Sequence, residues 1–212
     1  RLATALLDRA RALRSAGEPA SHRAVLAEVL RLGEDRIRAA PDVPLRASLA
    51  STVHDALVAA VDHDLAAGDP RAALAALTGW SRARAGEPAE DAPRSAAVRG
   101  AGDEVAVSYL LLQDALAVLV RRDGTLTGVR VPVSRGAVER LAGFVARAGR
   151  GGAGEATLRP RLAELYDLLV APVLGRELLP PRLLVHAEGV LAGIPFPALY
   201  DRERGEYLVQ KT

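Results

Sequence analysis

Three groupings in this chain hold residue types that can do chemistry, and each must meet the spacing its chemistry needs. Gly149-Arg150-Gly151-Gly152-Ala153-Gly154 spells G-x-G-x-x-G, the run that brings backbone N–H groups up to a dinucleotide pyrophosphate. That cradle works only where a strand feeds the loop and a helix leaves it. Here the residues before Gly149 have a helical period, so a linker between two helices is expected. His186-Ala187-Glu188 imitates the H-x-E of zinc deaminases, which needs two further cysteine-type ligands; the chain has no cysteine. His186 is expected to be a strand-end or turn residue. His54, Asp55, Asp62, His63 and Asp64 crowd one predicted helix. At about 100° per residue its two histidines point to opposite faces, and Asp55 and Asp62 lie about 10 Å apart along the axis, too far to clasp one metal. A solvated polar face is expected instead. Finally, no G-x-S-x-G elbow exists, and no serine sits where a strand-to-helix turn would expose it. No catalytic, cofactor-binding or metal-binding residue is therefore assigned within the chain.

Composition narrows the classes further. With 212 residues, 50% of them hydrophobic and 25% charged, the chain can build one large domain or two small ones. Aromatics make up only 3%, so the core must come from Leu, Val and Ala. The pI is near 9.4 but the formal net charge is only +2, with Arg interspersed among Asp and Glu. Arg121-Arg122 is the lone adjacent basic pair, whereas nucleic-acid surfaces concentrate positive charge beside stacking aromatics; no nucleic-acid partner is expected. No segment has the apolar length of a membrane span, and residues 1–14 lack the apolar core of a secretory signal. Without cysteine the chain needs no oxidising compartment, and a cytoplasmic location is expected. Methionine is absent even at position 1, so the chain is expected to begin inside a longer protein or after processing.

The elements that must position any site follow from period and breakers. Leu2, Leu6, Ala10 and Leu13 predict a helix stopped by Gly17. Ser21 is the expected N-cap of a second helix carrying Val25, Leu26, Val29, Leu30 and Leu32, interrupted at Gly33. Pro41 and Pro44 mark a turn before a long helix over 45–67. Gly68-Asp69-Pro70 then ends one helix and begins the next, which carries Ala73, Leu74, Leu77 and Trp80. Residues 86–102, rich in Pro, Gly, Ala and charge, read as a linker. Beyond it, 105–112, 115–122 and 125–133 read as three strands, with Asp123-Gly124 a strong hairpin turn. Ser134 caps a helix through Val138, Leu141, Phe144 and Val145, and a further helix over 156–171 carries Leu158, Leu162, Leu165, Tyr166 and Leu169.

The last stretch, 182–212, is the one the rest leads into. Leu183-Leu184-Val185 lies between Pro180-Pro181 and the turn His186-Ala187-Glu188-Gly189, as a buried strand entering a tight turn does. Ile194-Pro195-Phe196-Pro197-Ala198-Leu199 is apolar yet too proline-rich for a helix or central strand. A charged loop, 201–206, leads to Tyr207-Leu208-Val209, read as another strand. Phe196 is expected to be a buried anchor that holds 194–199 against the core.

This arrangement resembles the opening of a CHAT domain, the caspase-like domain that often follows tetratricopeptide repeats. Glu188, Gly189, Leu191, Pro195, Phe196, Ala198, Leu199, Tyr207 and Leu208 fall where that family places an acidic residue, glycine, leucine, Pro-Phe-x-Ala-Leu and a Tyr-Leu strand. Ile194 stands for a usual leucine, Ala187 for a proline, and Glu188 for a commoner aspartate. Leu165-Tyr166, Leu169 to Pro172, the meander and the Gly-Asp-Pro helical hairpin extend the resemblance over 68–212.

The resemblance implies a mixed α and β chain with three parts. Residues 1–86 would be antiparallel helical hairpins of tetratricopeptide type, 87–102 a linker, and 103–212 a β-meander with helices leading into the first part of a caspase-like α/β/α sandwich. It also implies cysteine peptidase chemistry from a histidine and a cysteine on later segments, neither of which lies in this chain. The expected function is thus the N-terminal portion of a caspase-like cysteine endopeptidase regulated through its helices, with a protein partner or a peptide substrate. The alternative is a non-catalytic interaction scaffold with a degenerate CHAT module. Leu183–Val185 is expected to be buried on both faces, and the exposed sheet edge to be covered by further CHAT polypeptide or a second molecule. No cofactor is expected.

Overall fold

The computed structural model describes residues 2–87, 104–174 and 180–210, and the chain divides into two compact units, 1–99 and 100–212. The expected linker at 87–102 lies, but for Glu87, outside the described residues.

The first unit is helical: α1 (Leu2–Ser15), α2 (Pro19–Ala39), α3 (Val43–Ala66) and α4 (Pro70–Ala85). Local chemistry sets its boundaries. Gly17 and Gly68 end α1 and α3 at φ of 73° and 75°, a left-handed geometry that costs glycine little. The Asp69 carboxylate accepts from the Arg71 and Ala72 backbone N–H groups at 3.1 and 2.9 Å, and Pro70 opens α4, as the Gly-Asp-Pro reading requires. Two expectations are corrected. Ser21 is no cap: Pro19 already starts α2, because a proline at the first turn loses no hydrogen bond, and Ser21 lies inside the helix. Gly33 interrupts nothing either; a Cβ there would meet Val53 Cγ2 at 2.9 Å, so the glycine lets α2 and α3 approach closely. Likewise Pro44 sits in the first turn of α3 behind its Asp42 N-cap, which accepts from Leu45 N at 2.8 Å. Leu26, Val29, Ile37, Leu57, Val61, Leu77 and Trp80 fill this core.

The second unit is a mixed four-stranded sheet with helices against it. β1 (Glu104–Leu111), β2 (Ala115–Arg122) and β3 (Thr125–Pro132) form an antiparallel meander. Its second turn is Asp123-Gly124, with φ of 50° and 75°, the double left-handed geometry of a tight hairpin. Ser134 caps α5 (Arg135–Arg150) by accepting from Ala137 N at 3.3 Å, followed by α6 (Glu155–Leu169) and α7 (Ala171–Leu174). The chain then returns to the far side of β1 as β4 (Arg182–Ala187), parallel to it, giving the order β3-β2-β1-β4.

Register explains the core. Val107 faces Val120, Tyr109 faces Val118 and Leu111 faces Leu116, so these residues share one sheet face. Val138, Ala142 and Val145 of α5 and Leu162, Leu165, Tyr166 and Leu169 of α6 cover it. The strand buried on both faces is β2, where every residue from Ala115 to Val120 is buried.

That corrects the expectation for Leu183–Val185. Among the described residues β4 is an edge strand with alternating burial, and Leu184 is 42% exposed. A short apolar run cannot tell a central strand from an edge strand that shows one apolar residue outward. A second correction concerns Tyr207-Leu208-Val209. Only Glu206–Tyr207 (β6) is extended, paired with Tyr200–Asp201 (β5), and Leu208–Gln210 turns into a short 3-10 helix. The Leu208 N–H donates to the Leu199 carbonyl at 2.8 Å, and Gln210 Oε1 accepts from Tyr207 N at 2.7 Å, which together bend the chain out of strand geometry. Among the described residues, no helix is long and apolar enough to cross a membrane.

Candidate functional site

Parallel strands deliver their carboxyl ends to the same side of a sheet, and in open α/β sheets ligands gather there. Here β1 and β4 are the parallel pair. The Glu188 N–H continues their ladder by donating to the Tyr109 carbonyl at 3.4 Å, and Gly189, at φ 63°, turns the chain sharply off the strand end. Two 3-10 turns follow, Gly189–Gly193 and Phe196–Ala198, as the prolines and glycines of this stretch demand.

The segment closes over the core through irregularly spaced apolar side chains. Leu191, Ile194, Leu199 and Leu208 are buried in the cluster under α5 and α6. Phe196 differs from expectation. It is half-buried, lying on the Tyr109 ring with centroids 5.5 Å apart and planes 24° apart. Prolines on both sides hold it in a turn too short to sink the whole ring, so Leu191 and Leu199, both 0% exposed, are the anchors. Pro195 is exposed and Ala198 half-buried. Beneath them the Tyr109 hydroxyl donates to the Leu169 carbonyl at 2.6 Å, tying β1 to the end of α6, and burial pushes the phenol's pKa well above its usual value.

The β5–β6 hairpin is latched separately. Asp201, 3% exposed, accepts from the Glu203 and Arg204 N–H groups at 2.9 and 3.3 Å and so shapes the charged loop. The Tyr207 hydroxyl donates to Glu155, which also takes Arg159, while the Arg159 guanidinium lies 5.1 Å from the Tyr200 ring centroid. The Tyr207 bond first, then Arg159, hold the Glu155 carboxyl below its usual range.

His186 and Glu188 do meet: Nε2 lies 3.4 Å from Oε1, with the histidine side chain 47% exposed and the glutamate buried. A base next to a carboxylate orients a proton, but it needs a nucleophile, and the chain has no thiol. The G-x-G-x-x-G run closes α5 and opens α6, with Gly154 at the α6 N-cap; a helix feeds it, so the phosphate cradle is not formed. Among the described residues, no three His, Asp or Glu side chains converge as metal ligands.

The acidic and histidine residues of α3 depart from expectation. Only Asp55 is on a solvated face. Asp64 is 3% exposed and takes Arg23 through both oxygens, Asp62 lies 3.6 Å from Arg14, His54 packs 6.1 Å from Trp80, and His63 faces His22. The pattern within α3 could not reveal this, because each partner comes from another helix. Comparison with protein-family models, with curated proteins and with solved structures finds no match to this chain.

Proposed function

We propose that the chain is the N-terminal portion of a CHAT protein whose parent is a caspase-like cysteine endopeptidase, with the helical unit receiving a partner or an activating signal. The observation that carries this reading is the strand-end cap. Glu188, Gly189, Leu191, Phe196, Leu199 and Leu208 act as one piece that seals the carboxyl end of the parallel β1–β4 pair. Beside it, among the described residues, β4 is the last strand of its sheet and presents Leu184 outward. Further strands of the parent would pair with that edge, bring a histidine and a cysteine to the same end, and bind an extended peptide there. On this reading the partner is protein or peptide, and the compartment is the cytoplasm.

The absence of any cysteine keeps the second reading in view, a scaffold whose CHAT-like module only binds. One experiment separates them: a peptide library incubated with the natural-length parent, with and without iodoacetamide. The peptidase reading expects cleavage that alkylation stops, and no cleavage by the 212 residues alone. Retention of peptides without cleavage would establish the scaffold reading instead.

A further inference from the structure

The helical unit holds a pair of histidines from different helices that no motif drew attention to. His22 of α2 is 4% exposed, and its Nδ1 lies 2.8 Å from the Ala10 carbonyl of α1. A carbonyl only accepts, so Nδ1 carries the hydrogen and the ring ties α2 to α1. The His63 ring of α3 lies 5.4 Å from it, centroid to centroid. Both rings line a cavity of about 190 Å³ beside the turn that joins α1 to α2, together with Arg14, Gly17, Glu18, Pro19 and Asp62.

The charges around the pair leave little to balance an imidazolium. From α1 comes Arg14, from α2 Arg23, and both are cations. Of the carboxylates on α3, Asp64 is held by Arg23 and Asp62 is near Arg14. Glu18, before α2, is exposed. A proton added to His63 therefore meets partial burial, the His22 imidazole and the guanidiniums of Arg23 and Arg14, which together outweigh the opposing pull of Asp64.

We propose that the His22–His63 contact is an acid-operated release: uptake of a proton by His63 loosens the α1–α2 turn from α3. This stands independently of the peptidase reading. Burial first, then His22, lowers the pKa of His63 below 6.5, so the closed state resists the proton that an opened state accepts freely. The sign follows. Above pH 6.5 His63 is neutral in both states and the closed state keeps its full stability; as pH falls below 6.5 His63 gains its proton first in the opened state, and closure weakens until the lowered pKa is passed. One linked proton raises the opening equilibrium by at most about tenfold per pH unit in that window.

Hydrogen exchange of the 212-residue chain at pH 7.5 and 5.5, corrected for intrinsic rates, tests this against His63→Gln, His22→Gln and the controls His54→Gln and His186→Gln. The wild type and both controls are expected to lose protection across α1 and its turn on acidification, while α4 and the β1–β2 amides keep theirs. His63→Gln should abolish the response. Should His22→Gln fail to fold without its bond to Ala10, His63→Gln together with the wild-type His63 NMR titration still decides, since its midpoint must lie below 6.5 and mark the lower end of the pH window over which exchange changes. Protection of α1 that does not change with pH, or a His63→Gln protein that responds as the wild type does, overturns the proposal.

Discussion

A residue's share in this fold is set by what it touches rather than by its type. Phe196 and Leu199 sit three apart in one apolar run, yet one ring is half in water and the other side chain is sealed. Leu199→Ala should therefore cost about 2–5 kcal/mol, as fully buried leucines do. Phe196→Ala should cost about 2 kcal/mol, from a half-buried ring and one aromatic contact. Urea unfolding of the two variants checks the order; a larger loss from Phe196→Ala would place that ring deeper than it lies here. Tyr109→Phe leaves the buried Leu169 carbonyl without its donor and should cost about 1–3 kcal/mol by the same measurement. Glu155 gives a pH dependence. Its folded pKa is depressed below 4.5, so the latch it forms with Tyr207 is complete above pH 4.5 and is lost as pH falls through the lowered value. Glu155→Gln should flatten that acid response in exchange of the β5–β6 amides, and an unchanged response would assign it to another group.

Elements were legible where chemistry is local. Gly68-Asp69-Pro70, Asp123-Gly124 and Ser134 each marked a boundary because cap and turn geometry depends on adjacent residues alone. Gly124→Val, forced to φ near 75°, should destabilise the β2–β3 hairpin by about 1–2 kcal/mol, measurable by thermal unfolding; no change would mean the turn adopts another geometry. What the sequence left open was context. Leu183-Leu184-Val185 and Ala115–Val120 are both apolar runs, and only the sheet order makes the second central and the first an edge. The α3 histidines and aspartates likewise waited on partners from α1, α2 and α4. An edge that shows Leu184 invites pairing with other strands. Leu184→Lys should lower concentration-dependent association in analytical ultracentrifugation without lowering the unfolding midpoint; equal association would put the contact elsewhere.

For the molecule as a whole, the mixed layout of helices followed by a meander and a parallel strand was readable from the change of period along the chain, 3.6-residue spacing giving way to alternation. The function was not, since none of the groupings able to do chemistry met the spacing its chemistry needs, and on the proposed reading the thiol chemistry belongs to other segments. The proposed function rests on an architectural expectation: β4 would be continued by further strands of a parent polypeptide, with the site at that junction. Amide exchange across 182–187 tests it most directly, compared between the dilute 212-residue chain and the natural-length parent. The account predicts that the amides of β4 facing away from β1 exchange freely in the former and become protected in the latter, while those bonded to β1 are protected in both. Equal, unprotected exchange of the outward amides in both proteins would contradict it.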